Sequence, residues 1–381
     1  MSISILDACS DPALFAPWFK NPGSWAAWRA FLCALFALPM TFEQWATFRD
    51  CAGRTTFPTE PATESWLICG RRAGKSFTLA LIAVFLACFR DYRESLTPGE
   101  RGTVIVIAAD RRQARTIMRY VRALLTRVPM LKRLIERETA ESSDLTNEVS
   151  IEVGTASFRS SRGYTIVAAL CDEMAFWPTD DSANPDYEIL DALRPGMATI
   201  PGAMLLCASS PYAKTGALHD AHKKHFGKDG PVLVWKAPTR TMNPSVKQSI
   251  VDAAMERDPA SAAAEWMAEF RNDIAAFVDR DVVLACVDVN VKERAATHQH
   301  KYHAFVDPSG GSVDSMCLAI GHLEKDLLVT DCLREIPAPF DPESAVDEFA
   351  RTMRDYACAQ VTGDRYSGQW CAQAFEKRRF R

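Results

Sequence analysis

Short apolar runs alternate with longer amphipathic stretches over about two hundred residues of this chain, and this alternation most constrains its fold. Each run is too short, and too rich in β-branched or other apolar residues, for a surface helix, so each predicts a strand. Strands that alternate with helices form a parallel sheet with helices packed on its faces. We therefore predict an α/β fold with strands at residues 65–69, 103–109, 166–171, 203–208 and 232–235, and a hairpin strand at 149–153.

The flanking segments predict further elements. The Trp-rich N-terminal region and an Ala-rich segment at 244–270 are expected to be helical. A second domain is expected to start near residue 300. Because the chain stops inside its last predicted helix without a cap or turn signal, we expect a fragment or an early-terminated product. The predicted elements of this domain are strands at 302–306, 315–322, 327–331 and 359–363, a helix at 342–358, and a last helix that runs into Lys377, Arg378, Arg379 and Arg381.

Composition excludes several classes of protein. With 48% hydrophobic and 24% charged residues among 381, disorder, collagen and coiled coil are excluded. The formal net charge of −4 means that a polyanion would have to be held by a local patch. The longest apolar run, residues 77–89, is too short to span a membrane and no signal peptide is present, so we expect a soluble, intracellular protein. The twelve scattered cysteines are expected to be core residues in a reducing compartment rather than zinc ligands.

A glycine loop, Gly70-Arg71-Arg72-Ala73-Gly74-Lys75-Ser76, directly follows the first predicted strand and precedes an apolar helix. This order is typical of a phosphate-binding loop, in which backbone N–H groups and a helix N-terminus surround phosphate oxygens. Lys75 would contact the β and γ phosphates, and Ser76 would bind Mg²⁺. The first glycine stands one residue late, so the motif alone is also compatible with a chance loop. The expected nucleotide contacts here are Gly70, Arg71, Arg72, Gly74, Lys75 and Ser76.

Two acidic residues follow the predicted strand at 166–171. Ligands of parallel α/β folds bind at the carboxyl ends of the strands, so Asp172 is expected to hold Mg²⁺ and Glu173 to orient and deprotonate the attacking water. Acids that cap a helix after a core strand are the alternative. Ser209 and Ser210 end another strand at the same edge and are expected to sense the γ-phosphate, although such a pair is also an ordinary turn.

Two single residues could complete a nucleotide site. Gln44, 26 residues before Gly70, has a side-chain amide that could read both a donor and an acceptor on the edge of adenine. Arg162, ten residues before Asp172, could reach the γ-phosphate of a neighbouring subunit as an arginine finger. An ordinary polar helix residue and a surface arginine are the respective alternatives.

Together these motifs resemble the large terminase subunit of tailed bacteriophages or prophages, the DNA-packaging motor. The resemblance rests on GRRAGKS with its displaced first glycine, on Leu-Cys-Asp-Glu, on Ser-Ser-Pro followed by Thr215-Gly216, on Gln44, and on an aspartate that ends a strand of the second domain. It implies a P-loop ATPase domain of the additional-strand, catalytic-glutamate type at 1–240, with a helical N-terminus. A helical lid or linker at 241–299 and a ribonuclease-H-like nuclease domain at 300–381 would follow.

By this resemblance, the protein would use ATP and Mg²⁺ to drive double-stranded viral DNA into a procapsid and would cut concatemeric DNA with Mg²⁺ or Mn²⁺. Its implied partners are double-stranded DNA, a terminase small subunit, the portal protein of the procapsid and copies of itself in a ring, within the cytoplasm of the bacterial host. The resemblance assigns phosphate binding to Lys75 and Ser76, Mg²⁺ to Asp172 and water activation to Glu173. It assigns stabilisation of the transferred charge to Arg71 or Arg72, with Arg162.

Aspartates at strand ends indicate where a nuclease site would lie. Asp307 ends the first strand of the second domain and Asp364 ends the fourth. Adjacent strands would bring both carboxylates to one edge, where two metal ions can stabilise phosphodiester cleavage, and Asp314 could support one of them. Isolated aspartates at strand ends are also common in loops. The resemblance implies another acid from a late helix, which is missing before Arg381, so we expect an incomplete metal site and slow cleavage.

Four arginines recur at helical spacing, within about 80° of one another on a single helix face. They could touch DNA phosphates, with an affinity that falls steeply in salt, or form an ordinary solvated face. The four residues are Arg111, Arg115, Arg119 and Arg122.

A two-lobed DNA helicase or translocase, and a prophage remnant that retains only ATPase activity, are the alternatives to a packaging motor.

Overall fold

The computed structural model describes residues 3–156, 163–177, 185–271, 280–312, 314–364 and 370–380. The chain divides into two compact units, Met1–Phe277 and Val278–Arg381, and each has its own sheet. Both units combine helices and strands, so the mixed α/β class predicted from the sequence is confirmed. None of the described helices is both long and apolar enough to cross a bilayer.

The sheet of the first unit has eight strands in the order β3-β4-β5-β2-β6-β7-β1-β8 among the described residues. Pairing is parallel from β5 across to β8, whereas β3 and β4 are antiparallel additions at one edge. The strands are β1 Glu64–Cys69, β2 Gly102–Ala108, β3 Ile135–Glu138, β4 Ser142–Leu145, β5 Val149–Thr155, β6 Thr165–Asp172, β7 Met204–Ser209 and β8 Val232–Ala237.

The edge of this sheet differs from the sequence prediction. The five predicted central strands are present, and the predicted hairpin strand is β5, which pairs with β4 on one side but in parallel with β2 on the other. Strands β3 and β4 were not predicted, because both are only four residues long and largely polar. Pairing with a neighbouring strand, rather than an apolar pattern, holds such edge strands in place.

Among the described residues, eleven α-helices surround this sheet: α1 Ile5–Ser10, α2 Ala26–Leu35, α3 Phe42–Ala52, α4 Lys75–Phe89, α5 Arg111–Arg127, α6 Pro129–Lys132, α7 Pro185–Met197, α8 Ala217–His225, α9 Thr239–Met242, α10 Gln248–Arg257 and α11 Pro259–Met267. Helix α4 lies in the core, since 11 of its 15 residues are buried. The aromatic N-terminal region covers it, with Trp25 against Phe77 and Phe36 against Phe85. This cover explains why α4 is apolar on all sides.

The Ala-rich segment predicted as one helical stretch contains two helices, α10 and α11. Asp258 separates them and caps α11, because its side chain accepts a hydrogen bond from the Ser261 N–H. Pro259 follows at the first helical position, where the missing N–H costs nothing. A proline in the middle of a continuous helix would remove a hydrogen bond, so the break falls here.

The described residues of the second unit form a four-stranded sheet in the order β11-β10-β9-β12. Strand β10 is antiparallel to both β9 and β11, whereas β12 is parallel to β9. Buried and exposed residues alternate along β9, and helix α13 packs Val346 and Phe349 into the apolar core of this unit. A ribonuclease-H-like class for this unit stays a prediction. The elements are α12 Arg280–Ala285, β9 Tyr302–Asp307, β10 Met316–Glu324, β11 Leu327–Ile336, α13 Pro342–Asp355, β12 Val361–Gly363 and α14 Trp370–Lys377.

Candidate functional site

The glycine loop between β1 and α4 needs glycine at both of its ends, for different reasons. Gly74 has a φ of +105°, a backbone conformation that side chains disfavour. A Cβ atom at Gly70 would lie 2.2 Å from Thr239 Oγ1 and 2.8 Å from the carbonyl oxygen of Glu265. Close packing against α9 and α11 therefore explains a glycine at position 70, one residue later than in the strict motif.

Three side chains that sequence reasoning missed hold the carbonyl oxygens of this loop. Trp28 Nε1 donates to the Ala73 carbonyl at 2.9 Å, Thr239 Oγ1 to that of Arg71 at 2.8 Å, and Asn243 Nδ2 to that of Arg72 at 2.8 Å. An anion-binding loop requires its carbonyl oxygens to be engaged away from the anion, and these donors provide that.

The two loop arginines are placed differently. The Arg71 guanidinium pairs with Glu265 of α11 at 2.9 Å, and the Arg71 N–H donates to the Glu265 carbonyl oxygen. Arg72 has a positive φ of 61° and an exposed side chain. Arg71 thus connects the loop to α11, which lies in the segment predicted as a lid or linker.

Lys75 is buried at the start of α4. Its Nζ donates to the carbonyl oxygens of Cys69 and Gly70 at 3.1 and 3.3 Å, and to Ser210 Oγ at 2.9 Å. It also lies 3.2 Å from Glu173 Oε1, so the cation faces a carboxylate in a poorly solvated position. A phosphate would compete with Glu173 for this lysine.

Ser76 and Asp172 form a pair of oxygen donors beside Lys75. Ser76 Oγ donates to Asp172 Oδ2 at 2.7 Å, while Asp172 Oδ1 is buried without a hydrogen-bond partner in the described part of the chain. Burial, and secondarily the charge of Glu173, raises the pKa of Asp172 to about 6. A hydroxyl, a carboxylate and an unpaired buried oxygen fit a hard divalent cation such as Mg²⁺.

Glu173 adopts a left-handed backbone, with φ +50° and ψ +41°. Such a conformation is uncommon for a residue with a side chain and is found where the surroundings enforce it. Glu173 Oε2 accepts hydrogen bonds from the Ser210 N–H at 3.2 Å and from Ser209 Oγ at 3.4 Å. The carboxylate is held between β6 and β7 and stays about one-fifth exposed, so it remains open to water.

Six of the predicted site residues therefore meet at one edge of the sheet. Strand β7 lies between β6 and β1, and all three are parallel, so their carboxyl ends coincide. The alternative of two acids that merely cap a helix does not account for their contacts with Lys75, Ser76 and the end of β7. The six residues are Lys75, Ser76, Asp172, Glu173, Ser209 and Ser210.

Two further residues predicted to contact the nucleotide, Gln44 and Arg162, are not among these six. Gln44 caps α3, because its Oε1 accepts the Thr41 N–H at 2.8 Å and its own N–H donates to Thr41 Oγ1. The Gln44 side chain also lines a cavity of about 220 Å³ with Ala26 and Arg29 of α2. Its adenine contact stays a prediction. Arg162 lies outside the described residues.

In the second unit, β12 pairs with β9 in a register that sets Gly363 opposite Val306. Continuing this register by one residue sets Asp364 beside Asp307 at the carboxyl ends of two adjacent strands. Asp314 is exposed, and its carbonyl oxygen accepts a hydrogen bond from Ser309. Within the described ranges, the carboxylates of the three aspartates do not form a group with ligand atoms within 4.8 Å of one another.

The predicted arginine face of α5 forms one wall of an open groove of about 760 Å³. The opposite side includes Glu141, next to the unpredicted strands β3 and β4. Arg122 is held there by the Thr139 carbonyl oxygen and lies 3.9 Å from Glu138. Arg112, which the spacing argument omitted, also lines this groove. The arginines that line this groove are Arg111, Arg112, Arg115, Arg119 and Arg122.

The first unit is thus an α/β protein with a large sheet, in which a glycine loop, a buried lysine and an Asp–Glu pair meet at the carboxyl edge of parallel strands. Residues 67–184 match the family model described as terminase large subunit, T4likevirus-type, N-terminal. No curated protein matches the chain significantly.

Solved structures supply a second comparison. The large terminase of bacteriophage HK97 is similar over 84% of this chain and 74% of its own, with 16% identity and a TM-score of 0.53, which shows a shared fold. The large terminase ATPase domain of Thermus phage P74-26 aligns with 63% of this chain and 97% of its own, at 16% identity and a TM-score of 0.44. The family match and the HK97 likeness confirm the predicted resemblance to phage large terminase subunits.

Proposed function

We propose that this chain is the ATP-hydrolysing large subunit of a phage DNA-packaging motor. The observation that carries the proposal is the meeting of Lys75, the Ser76–Asp172 pair and Glu173 at one sheet edge. The match of residues 67–184 to a terminase family supports a role in DNA packaging over a two-lobed helicase.

The contacts suggest how the residues would act on ATP. The N-terminus of α4 and Lys75 would bind the β and γ phosphates, and Ser76 and Asp172 would hold Mg²⁺. When bound, Mg²⁺ would neutralise negative charge on the phosphate oxygens. When a phosphate replaces Glu173 as the partner of Lys75, Glu173 would lose its ion pair and become free to accept a proton from water. The Ser210 N–H would keep the Glu173 carboxylate in place during this exchange.

ATP hydrolysis is expected to require Mg²⁺ and to fall as the pH drops below about 6. The raised pKa of Asp172, about 6, means that protonation removes the charge that would hold the cation. Since protons and Mg²⁺ compete for this carboxylate, more Mg²⁺ should move the inflection of the pH–rate profile to lower pH. The measurement is kcat/KM for ATP from about pH 5 to about pH 8 at several Mg²⁺ concentrations. If the pH of the inflection does not change with the Mg²⁺ concentration, this role of Asp172 is contradicted.

We further propose that double-stranded DNA binds along the arginine groove of α5. The groove is basic in a chain of net negative charge, so it could supply the local patch that a polyanion needs. Arg115 donates a hydrogen bond to the Arg111 carbonyl oxygen and Arg119 donates one to Thr116 Oγ1, both within their own helix, and both arginines are exposed at the groove. Neither contact neutralises the guanidinium charge, which stays available for phosphate.

Replacing both Arg115 and Arg119 with alanine is expected to weaken DNA binding at low salt by about tenfold or more. Each lost phosphate contact makes the slope of log K against log salt shallower by roughly 0.9, so two should change it by about 1.8. The measurement is the Kd of a duplex over a range of salt concentrations. Arg127→Ala, an exposed change on the same helix outside the groove, is the control. Equal slopes for the double variant and the wild type would exclude this groove.

The nuclease activity and the partners in this proposal follow from the resemblance to phage large terminase subunits. Asp307 and Asp364 would hold Mg²⁺ or Mn²⁺ for cutting of DNA concatemers, supported by their shared sheet edge. The partners would be a small terminase subunit, the portal of a procapsid and copies of this chain in a ring. In such a ring Arg162 would reach the nucleotide of a neighbouring copy.

A further inference from the structure

The second unit has a cluster of imidazole and carboxylate groups far from Asp307. His322, near the end of β10, is buried, and its Nδ1 lies 2.6 Å from Oδ2 of the buried Asp331 on β11. Its Nε2 lies 3.5 Å from Glu324 Oε1. His300, in the segment before β9, packs on His322 with ring centroids 3.9 Å apart and planes at 38°.

The ligand atoms of this cluster converge. One atom each from His300, His322 and Glu324 lies within 4.8 Å of the other two, and this is the only such group of three in the described part of the chain. Because Asp331 engages Nδ1 of His322, Nε2 is the nitrogen that can face a cation. A carboxylate on the far nitrogen of a ligating imidazole fixes the ring orientation and raises its basicity.

We propose that His300, His322 and Glu324 bind a transition-metal cation of the Zn²⁺ type, with Asp331 as the positioning residue for His322. Two imidazoles and one carboxylate suit Zn²⁺, whereas Mg²⁺ and Ca²⁺ prefer oxygen ligands alone. A tetrahedral site with bonds of about 2.1 Å has ligand atoms about 3.4 Å apart, so atoms that lie within 4.8 Å of one another need a contraction of at most about 1.4 Å.

The surroundings allow this contraction. His300 is half-buried and Glu324 is exposed, and both border an open cavity of about 640 Å³ that water can enter. A water molecule could then take the fourth position of the metal. The bound cation would add a link between the segment before β9 and the β10–β11 hairpin, beside the ring packing of His300 on His322 and the hydrogen bond from the Arg294 N–H to the Asp331 carbonyl oxygen.

This cluster is separate from the proposed nuclease edge. On β10, His322 pairs with Tyr302 at the start of β9, while Cys317 pairs with Asp307 at its end. The five residue steps between His322 and Cys317 correspond to about 17 Å along the strand. The proposed metal site therefore does not depend on the nuclease proposal or on the nucleotide site.

The test uses the full chain after removal of metal by a chelator. Zn²⁺ is expected to bind at one high-affinity site and to raise the midpoint of thermal unfolding, and Co²⁺ is expected to give the visible absorption of tetrahedral nitrogen and oxygen coordination. His300→Ala and Glu324→Gln should each lower the affinity at least about tenfold, and Glu324→Gln should leave the metal-free midpoint unchanged because its side chain is exposed. His303→Ala, an exposed histidine on β9, is the matched control and should bind as the wild type does.

Further variants separate this site from other ligands. Binding that survives both His300→Ala and Glu324→Gln, or that is lost in Asp307→Ala, would overturn the proposal. A sulfur-to-metal charge-transfer band in the Co²⁺ spectrum would assign the ion to cysteines and would overturn it too, as would a wild-type chain that Zn²⁺ does not stabilise. Asp331→Asn should lower Co²⁺ affinity about 10- to 100-fold while keeping the tetrahedral spectrum, which a merely structural aspartate would not do.

Discussion

Replacing Glu173 with glutamine is expected to lower kcat for ATP hydrolysis by about 10²- to 10⁴-fold while nucleotide binding persists. Glutamine keeps an oxygen that can accept the Ser210 N–H but has no charge with which to take a proton from water. It also removes the carboxylate that lies 3.2 Å from Lys75 Nζ. Since that carboxylate competes with phosphate for the lysine, the variant should bind ATP at least as tightly as the wild type.

Lys75→Ala should instead weaken ATP binding itself, because it removes the cation that would hold the phosphates. The two variants are compared by steady-state turnover and by titration with a fluorescent ATP analogue. Glu94→Gln, at an exposed position away from the loop, is the control for loss of a glutamate charge. Wild-type turnover in Glu173→Gln would show that another group activates the water.

Replacing Asp307 with alanine is expected to lower Mn²⁺-dependent nicking of supercoiled DNA by about 10²-fold or more and to leave ATP hydrolysis unchanged. Two metal ions stabilise the attacking and leaving oxygens of a phosphodiester, so losing a shared carboxylate ligand removes much of the charge stabilisation. Asp364→Ala should have a similar effect, because the register that sets Gly363 opposite Val306, continued by one residue, would set Asp364 beside Asp307. Their side chains are exposed, so neither change should disturb the core.

The control for these variants is Asp326→Ala, an exposed aspartate in the turn between β10 and β11. Nicking is followed as conversion of supercoiled to open-circular plasmid, and ATP turnover is followed in the same preparations. If both Asp307→Ala and Asp364→Ala nick at the wild-type rate, the activity comes from elsewhere or from a contaminant. A wild-type chain that does not nick would remove the nuclease from the proposed function.

Elements with a strong local pattern could be predicted from the sequence alone. Buried strands such as β1, β2 and β6 are continuous apolar runs, because both faces of a parallel sheet are covered. The same runs locate the glycine loop and the Asp172–Glu173 pair, since each directly follows a strand. Their shared position at the carboxyl edge then follows from the parallel order alone. The arginine spacing on α5 was likewise readable, because helical geometry is local.

The contacts of those residues depend on packing between segments that are distant in the sequence. The contacts of Trp28, Thr239 and Asn243 with the loop join positions between 45 and 171 residues apart, and no local pattern encodes such pairs. The displaced glycine at position 70 is likewise explained by the backbone of Glu265, which packs against it.

The same limit applies to the short edge strands β3 and β4, which are held by pairing with a neighbour rather than by an apolar pattern. It applies also to the cluster of His300, His322 and Glu324, because the two histidines are 22 positions apart and no local pattern links them. Periodicity records which face of an element is buried, whereas packing between elements determines which side chains meet.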